Sequence, residues 1–138
     1  MTMDFEQQHS EETDFTAKMA LCLAAITLVG IDGEFKEEEL AKLRTLIHAD
    51  ETAFLKAYEF YNWRPLETCI EVIAAKLNEA QKRAAYRLMY DIAKADNEVV
   101  KVEEQLLRQY AKRFGWDEQT VAELSDVSPT PEDIALFE

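Results

Sequence analysis

Apolar residues recur along this chain in two different ways. Between Met19 and Val29 they fall on almost every side of a helical projection: Met19, Leu21, Cys22, Ala25, Ile26, Leu28 and Val29. This predicts a first helix, capped at Thr13 or Asp14 and running to about Gly30, that is central and largely buried instead of lying on the surface. Elsewhere the apolar positions follow the three-and-four spacing of amphipathic helices. Leu40, Leu43, Leu46 and Ile47 mark a second helix over about 36–48. Phe54, Tyr58 and Tyr61 mark a third, capped by Asp50 and ending near Asn62, and their aromatic stripe is expected to face the core. A fourth, about 66–77, carries Ile70, Val72, Ile73, Ala74 and Leu77. A fifth, about 79–95, carries Ala84, Ala85, Leu88, Met89, Ile92 and Ala93. The sixth spans about 100–114, and a short seventh starts from a cap at Asp117 and turns Val121 and Leu124 inward.

The punctuation agrees with this division. Gly30 and Gly33 break the first helix, Trp63-Arg64-Pro65 ends the third because a residue before proline is disfavoured in α geometry, and Gly115 stops the sixth. Residues 1–12 are acidic and without periodicity, which predicts a flexible lead with Phe5 as its one anchor. Residues 13–125 form the helical domain. Residues 126–138, with two prolines and an acidic-hydrophobic end, read as an extended tail that offers Ile134, Leu136 and Phe137 for docking. The expected fold class is all-α, with about seven helices.

A repeat organises these helices. A constant offset of 64 residues relates Asp32 to Asp96, Glu34 to Glu98 and Glu39 to Glu103. The same offset brings Ala20 onto Ala84, Ala24 onto Leu88, Leu28 onto Ile92, Val29 onto Ala93 and Leu43 onto Leu107. The expectation is an internally duplicated helical bundle with approximate two-fold pseudo-symmetry.

Composition sharpens the functional class. A formal charge of −13 argues against nucleic acid or an anionic lipid leaflet as partner, since both require clustered Lys and Arg. Cations or a basic protein surface fit better. Only 3 Gly and 3 Pro occur, which favours helices over a turn-rich strand fold. Cys22 and Cys69 sit in apolar helical patterns without C-x-x-C spacing and read as buried free thiols. The acidic N-terminus does not resemble a secretory signal, and the apolar run Met19–Ile31 is too short to span a bilayer, so direct membrane insertion is not expected. A cytoplasmic location is the expectation.

The duplicated turns, Ile31-Asp32-Gly33-Glu34-Phe35 through Glu39 and Ala95-Asp96-Asn97-Glu98-Val99 through Glu103, carry the candidate chemistry. Clustered carboxylates suit hard cations such as Ca2+ and Mg2+. An ordinary EF-hand is excluded, because its first and third ligand positions would fall on Leu28 and Gly30, and in the second copy on Ile92 and Lys94. If the repeat is also spatial, Asp32, Glu34 and Glu39 could converge with Asp96, Glu98 and Glu103 on one cation, which would relieve their mutual repulsion. The alternative is structural. Glu39 and Glu103 stand near the third position of their helices, where a Glu can reach back to an open backbone N–H, and Asp32 and Asp96 can bond the turn backbone. Lys36 and Val100 stand where the reciprocal Ser or Thr of a capping box would be. Catalysis is not expected: His9 and His48 lie beside no G-x-S-x-G or H-E-x-x-H pattern, and no glycine-rich phosphate loop occurs.

Taken together, an apolar residue followed by Asp-Gly, an apolar residue, and a Glu early in the next helix, all duplicated, resembles the TerB-like tellurite-resistance proteins over about Thr13 to Leu124. The resemblance implies an all-helical fold with internal pseudo-symmetry and an acidic surface that binds divalent metal. It also implies a role in resistance to tellurite and related stresses within a protein complex near the membrane. Asp32, Glu39, Asp96 and Glu103 are the positions it covers. Asn97 in place of Gly, and the missing hydroxyl residue at the next helix start, set the second copy apart. A metal-independent acidic interaction scaffold, or a cochaperone-like adaptor, is the alternative function.

Overall fold

A computed structural model describes residues 15–31, 37, 41–43, 45, 51–94 and 101–137, and among these no strand occurs. Seven helices have defined bounds: α1 Ala17–Gly30, α2 Glu51–Trp63, α3 Leu66–Lys76, α4 Glu79–Ala93, α5 Lys101–Phe114, α6 Glu118–Ser125 and α7 Pro131–Ala135. Residues 37, 41–43 and 45 are also helical. They fall within the second predicted helix, where Leu43 is buried and Lys42 reaches Asp91 of α4 at 2.6 Å. Leu40, Leu46, Ile47, the expected cap Asp50, and the lead 1–12 lie outside the described residues.

The first helix is central, as its apolar circumference predicts. Every residue from Lys18 to Val29 is buried, and α2, α3, α4 and α5 all pack on α1. Its N-cap, however, is Thr16, whose hydroxyl accepts from the Met19 N–H at 3.2 Å, not Thr13 or Asp14. The side chain of Phe15 accounts for the later start. It is buried against the Phe60 ring at 5.1 Å, so the chain enters extended and turns helical only after this anchor.

On α2 the expected aromatic stripe is out of register. The buried residues are Ala53, Ala57 and Phe60, while Phe54 and Tyr61 are only partly buried and Tyr58 is 39% exposed. Small side chains at Ala53 and Ala57 let α2 approach α1 closely, and the rings are displaced to the flanks of that contact.

The later helices follow their predicted positions. Asn78 and Gln81 form a reciprocal capping box at the start of α4. Gly115 takes φ +83 as the left-handed stop after α5. Asp117 caps α6 by accepting from the Thr120 N–H at 2.8 Å. The tail is not extended throughout, contrary to expectation. Thr130 and Asp133 form a second capping box with Pro131 in the first turn, and the short α7 that results packs on α4. Arg87 clamps Asp133 with bonds of 2.7 and 3.2 Å, Gln81 donates to the Leu136 carbonyl at 2.9 Å, and Phe137 is buried.

Five pairs related by the offset are buried in both members: Ala20 with Ala84, Ala24 with Leu88, Leu28 with Ile92, Val29 with Ala93, and Leu43 with Leu107. Cys22 and Cys69 are buried thiols outside any disulfide among the described residues, as expected. Among the described residues no helix is long and apolar enough to cross a membrane.

Candidate functional site

The acidic turns follow α1 and α4 in sequence, and these two helices pack on each other. Asp32, Glu34, Glu39, Asp96 and Glu98 lie outside the described residues. Glu103 is the candidate whose position is described. It occupies the third position of α5, where its carboxylate meets the positive end of the helix dipole. It is 0% exposed. Its neighbour Glu104 behaves as an ordinary surface acid, half-exposed and paired with Arg108 at 2.9 Å. Complete burial therefore distinguishes Glu103 from an acid that merely decorates a helix start. A carboxylate enclosed in this way requires compensation by donors or a cation.

The core also contains a buried polar contact between α1 and α5. The Thr27 hydroxyl of α1 bonds the Ala24 carbonyl at 2.7 Å and the Tyr110 hydroxyl of α5 at 2.7 Å, with both side chains buried. Burial pushes the Tyr110 hydroxyl far above its usual range, so it stays protonated and ties α5 to α1. Burial also pushes the Cys69 thiol up to about 11, which makes it a poor nucleophile at neutral pH.

The donor set proposed for a metal is all carboxylate, which suits a hard cation that takes oxygen ligands and does not suit zinc, with its preference for His and Cys. Among the described residues no three His, Cys, Asp or Glu side chains converge. Glu103 alone represents the candidate set there.

A different feature was not anticipated. Phe15, Met19, Phe60 and Trp63, with Lys56, Glu59 and Arg64, line an open groove of about 210 Å3 beside α2. The Arg64 guanidinium lies 4.9 Å above the Phe60 ring, and Trp63 is 76% exposed. In the sequence Trp63 and Arg64 read as a helix terminator before Pro65. The sequence signal available was the Lys56, Phe60, Trp63 spacing, which places a cation and two rings on one side of the helix.

Fold and acids thus define a small all-helical domain with a buried carboxylate at the head of its fifth bounded helix. The family model for Tellurite resistance protein TerB matches residues 15–126, and the chain belongs to that family. Comparisons with curated proteins and with solved structures return no significant match. The match ends before α7, so the docked tail lies beyond the part shared with the family.

Proposed function

We propose that this TerB-family chain acts by binding and not by catalysis. It is a cytoplasmic stress- and tellurite-resistance module that takes up Ca2+ or Mg2+ on Asp32, Glu34, Glu39, Asp96, Glu98 and Glu103. It works within a protein complex associated with the membrane. The observation that supports this reading is the complete burial of the Glu103 carboxylate, 64 residues after Glu39 in the repeat. A cation shared by the two acidic turns would offset both the desolvation of that carboxylate and the repulsion among its neighbours. The hydrated acidic faces, such as Glu104 with Arg108, take no part.

The test is calcium or magnesium titration of chelator-treated protein, followed by calorimetry and amide spectra. Saturation at one hundred times the dissociation constant stabilises the fold by about 2.7 kcal/mol and raises the melting temperature accordingly. Glu103→Gln and Asp96→Asn each remove that rise. An unmoved melting temperature and unchanged spectra at millimolar cation overturn the cation reading. Loss of a salt-sensitive complex in the Asp32→Asn, Asp96→Asn double variant, with chelator present throughout, points instead to a metal-independent scaffold.

A further inference from the structure

The chain is strongly acidic, yet one helix face has the opposite character. Of the large apolar side chains exposed among the described residues, Leu55, Tyr58 and Trp63 are on α2, and Leu55 and Trp63 are 61% and 76% exposed. Leu55, Glu59 and Trp63 follow at successive four-residue steps, so they form one stripe about 12 Å long at 1.5 Å per residue. The groove lies along this stripe. Phe15, Met19 and Phe60 are buried and form its floor, and exposed Trp63 forms a wall.

Its charge is unlike that of the whole molecule. Lys56 and Arg64 face the same space, and among the described residues Glu59 is the single acid of the lining. Among the described residues neither cation pairs with a carboxylate. The five ion pairs there join Lys42, Arg83, Arg87, Arg108 and Arg113 to acids. Arg64 is instead held over the Phe60 ring and donates a long bond of 3.5 Å to the Trp63 carbonyl. A ring fixes the guanidinium in place and leaves its remaining donors for a carboxylate, which a planar fork binds in bidentate fashion.

Size narrows the occupant. About 210 Å3 is below the 300–1,000 Å3 of typical small-molecule sites and is enough for one large side chain. The exposed stripe continues beyond the cavity to Leu55, which calls for a ligand longer than a single compact molecule. Trp and Arg are also the residue types that dominate binding energy at protein interfaces.

We propose that this groove binds an acidic segment of a partner protein. The segment seats one large apolar side chain against Phe60 and Trp63 and sets a carboxylate on Arg64, with Lys56 steering the approach. The proposal is argued independently of the cation reading, because the groove's lining among the described residues includes no candidate metal ligand.

The experiment uses the full chain with Trp116→Phe, so that Trp63 is its single indole; Trp116 packs on Tyr86 and Phe114 and does not line the groove. It is titrated with a blocked peptide of alternating glutamate and leucine around one phenylalanine, in chelator. Emission of Trp63 shifts to the blue and saturates, while the same peptide with lysine for glutamate produces no shift. Arg64→Ala weakens binding about tenfold or more, the size of a hot-spot loss. Lys56→Glu, a fully surface change that leaves folding intact, also weakens it, and the loss shrinks as salt rises. Equal shifts with both peptides, or unchanged affinity in both variants, overturn the proposal. Saturation by sodium benzoate at the same concentration as the peptide overturns it in favour of a small-molecule site. A concentration-dependent dimer that Trp63→Ala converts to monomer overturns it in favour of a second copy of the chain.

Discussion

Helices α1 and α4 are related by the 64-residue sequence offset, but they are built differently. Both bury Ala20 and Ala84, Leu28 and Ile92, and Val29 and Ala93 at corresponding places. At four other matched places α1 buries Met19, Leu23, Ile26 and Thr27, whereas α4 carries partly exposed Arg83, Arg87, Tyr90 and Asp91. The neighbours explain the divergence. α1 is enclosed by α2, α3, α4 and α5, so each of its faces must be apolar or internally bonded. α4 packs on α1, α5, α6 and the short α7, and its remaining surface carries ion pairs to Lys42, within α4 itself and to Asp133 of the tail. A buried face common to both helices, with the remaining faces set by what covers them, accounts for how they differ in sequence.

The strongest way to break this comparison is to exchange matched residues. Leu23→Arg transfers the Arg87 chemistry into α1, where the position is fully buried. An unpaired buried cation costs several kcal/mol, against a total stability of about 5–15 kcal/mol for a domain. The variant is expected to lose its cooperative thermal transition by circular dichroism. A transition near that of the parent protein would mean that α1 is not enclosed on that face.

A smaller effect is expected at the buried polar contact between Thr27 of α1 and Tyr110. Thr27→Val keeps shape but removes the acceptor or donor facing Tyr110, which leaves a buried hydroxyl unsatisfied. Expected destabilisation is about 2 kcal/mol. The matched change in α4, at Asp91, breaks only the half-exposed pair with Lys42, for which about 0.5 kcal/mol is expected. Urea midpoints for the two variants test the difference, and equal shifts would remove the distinction drawn between the helices. The burial of Tyr110 also has an alkaline signature. Burial raises its pKa in the fold, against the lowering effect of the Thr27 hydrogen bond, so the stability linked to its protonated form is complete below the ordinary value of 10.0 and is lost as pH climbs above it.

The sequence was readable wherever one physical cause dominated. The burial of α1 follows from apolar residues on all its sides, and the ends of α2 and α5 follow from Pro65 and Gly115. Errors arose where two causes competed. Thr13, Asp14 and Thr16 all satisfy capping chemistry, and only the packing of Phe15 on Phe60 selects Thr16. On α2, side-chain size favoured the rings as core, but close helix approach favoured Ala53 and Ala57. In the tail, the prolines concealed a local signal that was present: Thr130, Pro131 and Asp133 are a capping box with a favourable first residue. The acidic repeat was legible as a pattern, and the burial of Glu103 was not, since nothing in a run of charged residues distinguishes the enclosed acid from exposed Glu104. The groove was missed because its residues come from α2 and from Phe15 and Met19, which only the folded chain brings together.

The mildest test concerns what covers α4. Arg87→Leu makes this helix more like α1 at the matched position but strips the partner from Asp133, whose side chain is largely buried. Gln81 still bonds the Leu136 carbonyl and Phe137 stays seated, so the expected loss is about 1 kcal/mol and is confined to faster amide exchange in α7. Its pH dependence has a definite sign. Hydrogen bonds from Arg87, opposed by burial and aided by the Thr130 N–H, hold the Asp133 carboxyl below its ordinary value of 3.8. The pair therefore stabilises the tail fully above that value, and its contribution disappears as pH falls through the depressed one. The parent and Arg87→Leu proteins should differ at neutral pH and converge in acid. A difference in α7 protection that persists at pH values well below 3.8 would show that Arg87 acts through packing of its stem and not through the ion pair.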